Sequence, residues 1–397
     1  MKKQWFYPAD ILLPKDNFEK WAVIACDQYT SDQSYWEQAA QLAAGAPSSL
    51  RIVYPEAYLS EEREKRISSI NQTMREYCAN GVFREIPDTF VYVERETSGG
   101  TRRGIVGLID LQEYSFEKTS QALIRATEAT VTERIPPRVE IRRDACLEIP
   151  HVMLLIDDPG KTVIEPLTAR KDAFAPLYDF DLMMRGGHIR GFAVDKPGEA
   201  AITAALANLH EQCGGLLFAV GDGNHSLATA KECYSLHPTD RSRYALVEVV
   251  NVHDSSLHFE PIYRVLFGVD PDDVIRSFSE ARGGEADGAE AQTFTCVAGT
   301  RERKIAVTPS HPLSIGTLQA FLDEYLAAHP SATLDYIHGE NALRELAKGE
   351  NTLGFLFSGM EKSELFEAVR QGGSLPRKTF SMGTADDKRF YMECRKL

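Results

Sequence analysis

The stretch LLFAVGDGNHSLATAKECY, residues 216–234, constrains the fold more than any other part of the chain. Its apolar opening, LLFAV, is too short for a buried helix and reads as a strand. Gly-Asp-Gly-Asn-His follows at once, and a helical pattern begins behind it. A second helical pattern, PGEAAITAALANLHEQCGG, precedes the strand, with Ile202, Leu206, Leu209 and Cys213 on one face and glycines to stop it. Helix, strand, glycine joint and helix in succession predict a mixed α/β or α+β fold.

Other segments fit that class. TFVYVERE and RRGIVGLIDL predict neighbouring strands joined by the hairpin-like TSGGT, and HVMLLIDDPGK predicts a strand ending in a turn. WAVIACDQYT and LRIVYP read as further strands. Ser60 is the expected N-cap of a helix carrying Ile67, Ile70, Met74 and Tyr77 on one stripe. Asp270 and Pro271 predict another helix start. Leu318, Phe321, Leu322, Tyr325 and Leu326 have the spacing of an amphipathic helix. The acidic RGGEADGAEAQ reads as a loop. With 397 residues the chain has room for two domains. The expected division is 1–265, carrying the Gly-Asp-Gly-Asn-His turn, and 266–397, a smaller α+β domain.

Charge narrows the partners. A formal net charge of −14 argues against nonspecific nucleic-acid binding, which needs a basic face, and against an anionic membrane surface. Lysines open the chain, but Trp5, Pro8, Asp10 and Pro14 interrupt any apolar run, so a secretory signal is not expected. The seven cysteines include no C-x-x-C pair. Reduced thiols in a cytoplasmic protein are the expectation.

The joint after Val220 has a chemical reading. The first N–H groups of a helix lack intrahelical partners and carry partial positive charge, so they can receive phosphate. Gly221 and Gly223 would allow close backbone approach, and Asn224, His225 and Ser226 would offer donors. Lys231 would add charge. Asp222 would repel a phosphate unless Mg²⁺ or a proton intervened, or would act as a base towards a hydroxyl. Asp222 and Asp27 are the candidate Mg²⁺ ligands. The alternative is ordinary turn chemistry, with Asn or Ser capping the helix. Five arginines in LIRATEATVTERIPPRVEIRR, among them Arg125, would line an anion's approach or pair with Glu128, Glu133 and Glu140 on a solvated face. Asp157 and Asp158 read as turn residues first and metal ligands second, and His253 and His258 lack both a helical ligand spacing and an obvious third ligand.

GDGNHSLATAK resembles the D-G-H-H-R-x-x-T-A motif of the family called domain of unknown function 1015. YPADILLP, WAVIACDQYTS, LIRATEATVTERIPPRVEIRRDA, HVMLLIDDP, FEPIYRVL and LPRKTFSMG also look like segments of its bacterial members, so the likeness spans nearly the whole chain. The motif is remotely similar to a helix-start turn in the fold shared by ParB, sulfiredoxin and an ADP-dependent free-serine kinase. That resemblance implies a ParB/sulfiredoxin-like core with additional strands and a C-terminal α+β region. It also implies a nucleotide phosphate at Gly223, Asn224, His225 and Ser226. Asn224 and Ser226 depart from the motif's first histidine and its arginine, and Tyr263 stands where many relatives have histidine. Three functions follow as expectations. The first is a protein that binds a small phosphorylated ligand, most simply a nucleotide, with ADP or ATP as co-substrate if it is a phosphotransferase acting on an alcohol. The second is a nucleotide-sensing regulatory module without turnover. The third is a metal-dependent hydrolase, which would need Asp27, Asp157 or His253 to converge with Asp222.

Overall fold

The structure is a computed structural model that describes residues 4–25, 29, 32–58, 62–130, 135–283 and 291–397. Asp27, Ser60 and most of the acidic loop at 282–292 lie outside the described residues. The chain forms two units, residues 1–258 with 382–397, and residues 259–381. The division therefore falls after His258 instead of residue 265, and the last residues return to the first unit.

A large mixed sheet organises the first unit. Its strands run in the order Ala175–Asp181, His188–Ala193, Val91–Thr97, Gly100–Asp110, Tyr244–Asn251, Met153–Ile156, Phe218–Asp222, Ile124–Ala126 and Tyr114–Ser115. Met153–Ile156 pairs parallel with Tyr244–Asn251 and antiparallel with Phe218–Asp222. The expected hairpin is present, with Thr97 opposite Gly100.

Successive side chains on a strand point to opposite faces, and both faces of this sheet are buried. Tyr92, Ile105, Leu154, Val220 and Val249 pack on one face with Ile202 and Leu206 of the helix Lys196–Gln212 and Leu227 of the helix Asn224–Leu236. Val91, Val93, Val106 and Leu246 face the other way. There they meet Ile11, Leu13, Trp21, Trp36 and Ile70 from the N-terminal part of the chain, and Phe390, Met392 and Cys394 from the C-terminal segment. Two apolar faces explain why VYV and IVG read as continuous runs.

Two strand expectations fail in part. LRIVYP begins inside a 3-10 turn, Ser49–Arg51, because the Ser48 hydroxyl accepts from Leu50 N and the Ser49 hydroxyl donates to Trp21 O at 2.6 Å. Of WAVIACDQYT only Val23–Ile24 is assigned as strand among the described residues, paired with Phe390–Tyr391.

The second unit carries a six-stranded sheet around Phe259–Phe267, which pairs antiparallel with Thr333–His338 and Thr352–Phe357. Asp270 caps the helix Pro271–Ala281 by accepting from Asp272 N, as its Asp-Pro start predicts. The amphipathic spacing at 318–326 falls in the helix Ser314–Ala328.

Candidate functional site

The strand Phe218–Asp222 reaches its helix through a bulge and a left-handed residue. Leu154 is opposite Val220 but Met153 is opposite Asp222, which leaves Gly221 as the extra residue. Such a bulge changes which face the following side chain takes. Met153 is also paired with Glu248, on the face covered by the C-terminal segment, so Asp222 emerges on that side. A Cβ at Gly221 would lie 2.9 Å from both Leu155 Cγ and Met382 Sδ. Packing, rather than approach of a ligand, therefore requires that glycine. Gly223 has φ +84° and precedes Asn224, the first helical residue. A Cβ added to Gly223 would lie 3.0 Å from Val152 Cα.

The helix ladder begins with Leu227 N donating to Gly223 O at 3.0 Å. The amides of residues 224–226 come before that bond, where a helix has no carbonyl of its own to offer them. Residues 221–226 are all half-buried, so the turn is neither sealed nor fully open. Asn224 Oδ1 is buried and has no hydrogen-bond partner among the described residues. Thr229 Oγ1 donates to His225 O at 2.7 Å, and Thr127 Oγ1 donates to Val220 O at 2.6 Å, which fixes the approach to the turn.

Three residues that sequence reasoning missed stand around this turn. Lys388 Nζ lies 3.4 Å from Asp222 Oδ2, while Asp222 Oδ1 accepts from Gly223 N at 2.8 Å. His151 Nε2 is 3.4 Å from Ser226 Oγ, and His151 Nδ1 is 3.2 Å from Tyr391 OH. His151 comes just before the strand that pairs with Phe218–Asp222, so strand pairing alone brings it here. Lys388 and Tyr391 arrive with the returning C-terminal segment. Nothing local in DDKRFY signals that destination; the long-range pairing of Phe390–Tyr391 with Val23–Ile24 and the buried contacts of Arg389 set it.

Two expected ligand residues are elsewhere. Arg125 is buried, with Nε donating to Ala122 O and Nη2 to Gly215 O, both at 2.9 Å. Those carbonyls lie at the start of the parallel pair Ile124–Ala126 and Phe218–Val220, the end away from the turn. Lys231 Nζ donates to Leu111 O at 2.8 Å, and burial lowers its pKa. Both cations are structural. Nor do the neighbouring arginines converge: Arg142 pairs with Glu148 at 2.5 Å and Arg143 with Asp144, and Arg134 is outside the described residues.

Among the described residues Asp157 and His253 do not converge with Asp222, and Asp27 lies outside them. Asp157 lies four residues along from Met153, the partner of Asp222, a distance of about 13 Å in a strand. His253 goes with Asp157, Nε2 to Oδ1 2.8 Å. Asp158 is a turn residue, its Oδ2 accepting from Thr162 N and Val163 N. Among the described residues no three His, Cys, Asp or Glu side chains gather to hold a metal.

Behind the site, the C-terminal segment is fastened by a buried charge network. Arg389 Nε donates to Glu248 Oε2 at 2.6 Å and Nη2 to Glu393 Oε2 at 2.5 Å. Arg389 Nη1 also donates to Pro150 O at 2.7 Å, next to His151. Gly104 makes room for the Glu248 carboxyl, since a Cβ there would be 2.5 Å from Oε1. Burial raises the pKa of Glu248, but Arg389 and Arg102 more than reverse this and hold it below the usual carboxylate value.

The fold and this turn place the chain among mixed α/β proteins with a strand–glycine–helix joint. The family model described as Protein of unknown function (DUF1015) matches residues 7–325, and the chain belongs to that family. No curated protein matches it. Solved structures similar to it include a free serine kinase in complex with AMP, at 14% identity over 72% of this chain and 90% of that one, with a TM-score of 0.42. A conserved hypothetical protein from Pyrococcus furiosus is 15% identical over 73% and 94%, with a TM-score of 0.39. SbnI with C-terminal truncation from Staphylococcus aureus is 10% identical over 70% and 82%, also with a TM-score of 0.39. Among the described residues no helix is long and apolar enough to cross a membrane.

Proposed function

We propose that this chain binds a small phosphorylated ligand, most simply a nucleotide, at the turn 222–226. One observation carries the reading: the amides ahead of the Leu227–Gly223 bond share a half-buried corner with Lys388, His151 and Tyr391. Amides and a helix start favour negative charge, and an ammonium adds to that preference. Histidine, serine and tyrosine are hydrogen-bond donors suited to phosphate oxygens. His225 and Ser226 would complete the cradle. In a phosphotransferase with an alcohol acceptor, Asp222 would accept the hydroxyl proton. Mg²⁺ would then travel with the nucleotide, and Asp222 is a carboxylate of the turn that would meet it.

A second reading, binding without turnover, has its own support. Asp222 already accepts from Gly223 N and pairs with Lys388, so its carboxylate is engaged in holding the turn.

A thermal-shift series with inorganic phosphate, AMP, ADP and ATP, each with and without Mg²⁺, tests the site. A ligand at ~100 times its Kd adds about 2.7 kcal/mol to stability. Lys388→Ala and His225→Ala should reduce the shift; a shift unchanged in both variants rules out the turn as the site. Multiple-turnover loss of ADP or ATP with small alcohols present separates a transferase from a sensor.

A further inference from the structure

Three cysteines gather at one corner of the first unit: Cys78, Cys146 and Cys394, each with a free thiol. Cys78 lies in the last turn of the helix Arg63–Ala79 and is exposed. Cys146 is half-buried, directly ahead of the short strand Leu147–Glu148. Cys394 is buried.

Backbone pairing brings these distant residues together. Just past the helix, Lys15 N donates to Val82 O at 3.0 Å, and the strand Phe83–Thr89 pairs with Ala9–Pro14. Leu12 of that strand exchanges backbone hydrogen bonds with Cys394, at 2.8 and 3.0 Å. Arg395–Lys396 then pairs with Leu147–Glu148, and Leu397 N donates to Cys146 O at 3.1 Å. The helix end and Cys146 therefore meet beside the C-terminal strand. Cys146 packs against the core that holds Leu12, Tyr77, Leu147 and Cys394. The thiols of Cys78 and Cys146 are hydrogen-bonded to each other. A disulfide requires that both sulfurs reach one another without backbone movement, and thiols already in contact meet that demand.

We infer that Cys78 and Cys146 are a redox pair, which closes to an intramolecular disulfide when the chain meets a small-molecule disulfide of the glutathione class. Cys78, the exposed member, attacks one sulfur of the oxidant. A mixed disulfide forms on Cys78, and one small thiol leaves. Cys146 then attacks the Cys78 sulfur and expels the second small thiol. Two protein thiols are oxidised, one small disulfide is reduced, and the two protons pass to the thiols released. Burial around its sulfur, with Cys146 beside it, pushes the Cys78 pKa up to about 11, and Lys396 only partly opposes this. The attacking thiolate is therefore scarce at neutral pH, so closure is slow there and quickens as pH rises. The bridge would tie the helix Arg63–Ala79 to the segment on which the C-terminal strand is paired. This pair stands independently of the turn at 222–226.

The natural full chain, reduced and then incubated with oxidised glutathione under native conditions, tests the assignment. Peptide mapping by mass spectrometry should find Cys78 joined to Cys146 within one chain. The melting temperature should rise by about 5 °C or more, because the bridge closes the long loop between them. Cys146→Ser should instead hold glutathione as a lasting mixed disulfide on Cys78. The closure rate should keep rising beyond pH 9, where an unperturbed thiol levels off. A rate that levels off near pH 8.5 would overturn Cys78 as the attacking thiol. A mixed disulfide that persists in the natural chain, a bridge from Cys78 to Cys394, or no bridge at any pH would each overturn the pair.

Discussion

The Lys388 ammonium stands 3.4 Å from the Asp222 carboxylate, joining the returning C-terminal segment to the turn at the end of the strand Phe218–Asp222. For the anion proposed to bind at Gly-Asp-Gly-Asn-His, the pair would settle the electrostatic conflict with Asp222. An acid beside an anion site is tolerable when a cation already neutralises it. Lys388→Met should therefore weaken phosphate or nucleotide binding by about tenfold or more, through the loss of one partly desolvated charge partner. Titration calorimetry would measure it. Tighter binding in this variant would mean that the lysine blocks the turn instead of serving it.

Gly223 holds a conformation that L side chains rarely adopt, φ +84°, against the backbone of Val152. Gly223→Ala should cost about 1–2 kcal/mol from left-handed strain alone. Its urea midpoint should fall, and ligand binding should fall further than the stability loss explains. A variant with unchanged midpoint would show that the turn relaxes without difficulty.

Glu248 is 3% exposed and serves Arg389 directly, with Arg102 Nε 4.0 Å from its other oxygen. Removing one partner from a buried pair leaves the other charge uncompensated, and typically costs about 3–5 kcal/mol. Glu248→Gln should lose stability on that scale in chemical denaturation. A loss below about 1 kcal/mol would mean that water reaches the arginines in its place.

Acid should act through the same network. In Glu148, burial raises the pKa, but Arg142 and Arg395 bring it below the ordinary value, as Arg389 and Arg102 do for Glu248. A carboxyl whose folded pKa is depressed stabilises the fold fully above its unfolded pKa, about 4.3. That stabilisation disappears as pH falls through the folded value. The melting temperature should thus drop steeply below about pH 4, and less steeply in Glu248→Gln, which has one fewer such group.

His188 has the opposite sign. Its hydrogen bond to Asp181 Oδ1, at 2.6 Å, is the main cause of a raised pKa; burial opposes it, and Asp179 adds to the rise. A raised histidine pKa gives stability that is complete below its unfolded pKa, about 6.5, and is lost as pH rises through the folded value. The carboxylates are well exposed, so solvent screening keeps the effect within about 1 kcal/mol. The stability gap between the natural chain and His188→Gln should close on going from about pH 6 to alkaline pH.

Local patterns in the sequence are enough to find several elements of each unit. The LLFAV strand and the TSGGT hairpin of the first unit, and the Asp270 cap and the Leu318–Leu326 face of the second, each depend on neighbours within a few residues, and each is present. Gly223 is legible as a residue needing unusual φ. Gly221 is not, because its reason is packing against Leu155 and Met382. Local spacing misleads about the cations for a similar cause. Arg125 and Lys231 carry the charge expected of an anion site, yet their side chains satisfy carbonyls away from the turn. Lys388 and Tyr391 are far away in sequence and reach the turn through strand pairing and buried charge, which no local spacing records.

The return of residues 382–397 also sets an order of events during synthesis. Glu248 leaves the ribosome long before Arg389, so until the whole of 259–381 has been made its buried carboxylate has only the more distant Arg102 of its two arginine partners. Gly383 N donates to His258 O at 2.9 Å, so the chain leaves the first unit and re-enters it at adjacent points. A gene in which a short linker replaces 259–381 would present the emerging chain with its arginine early, and should shorten that vulnerable interval.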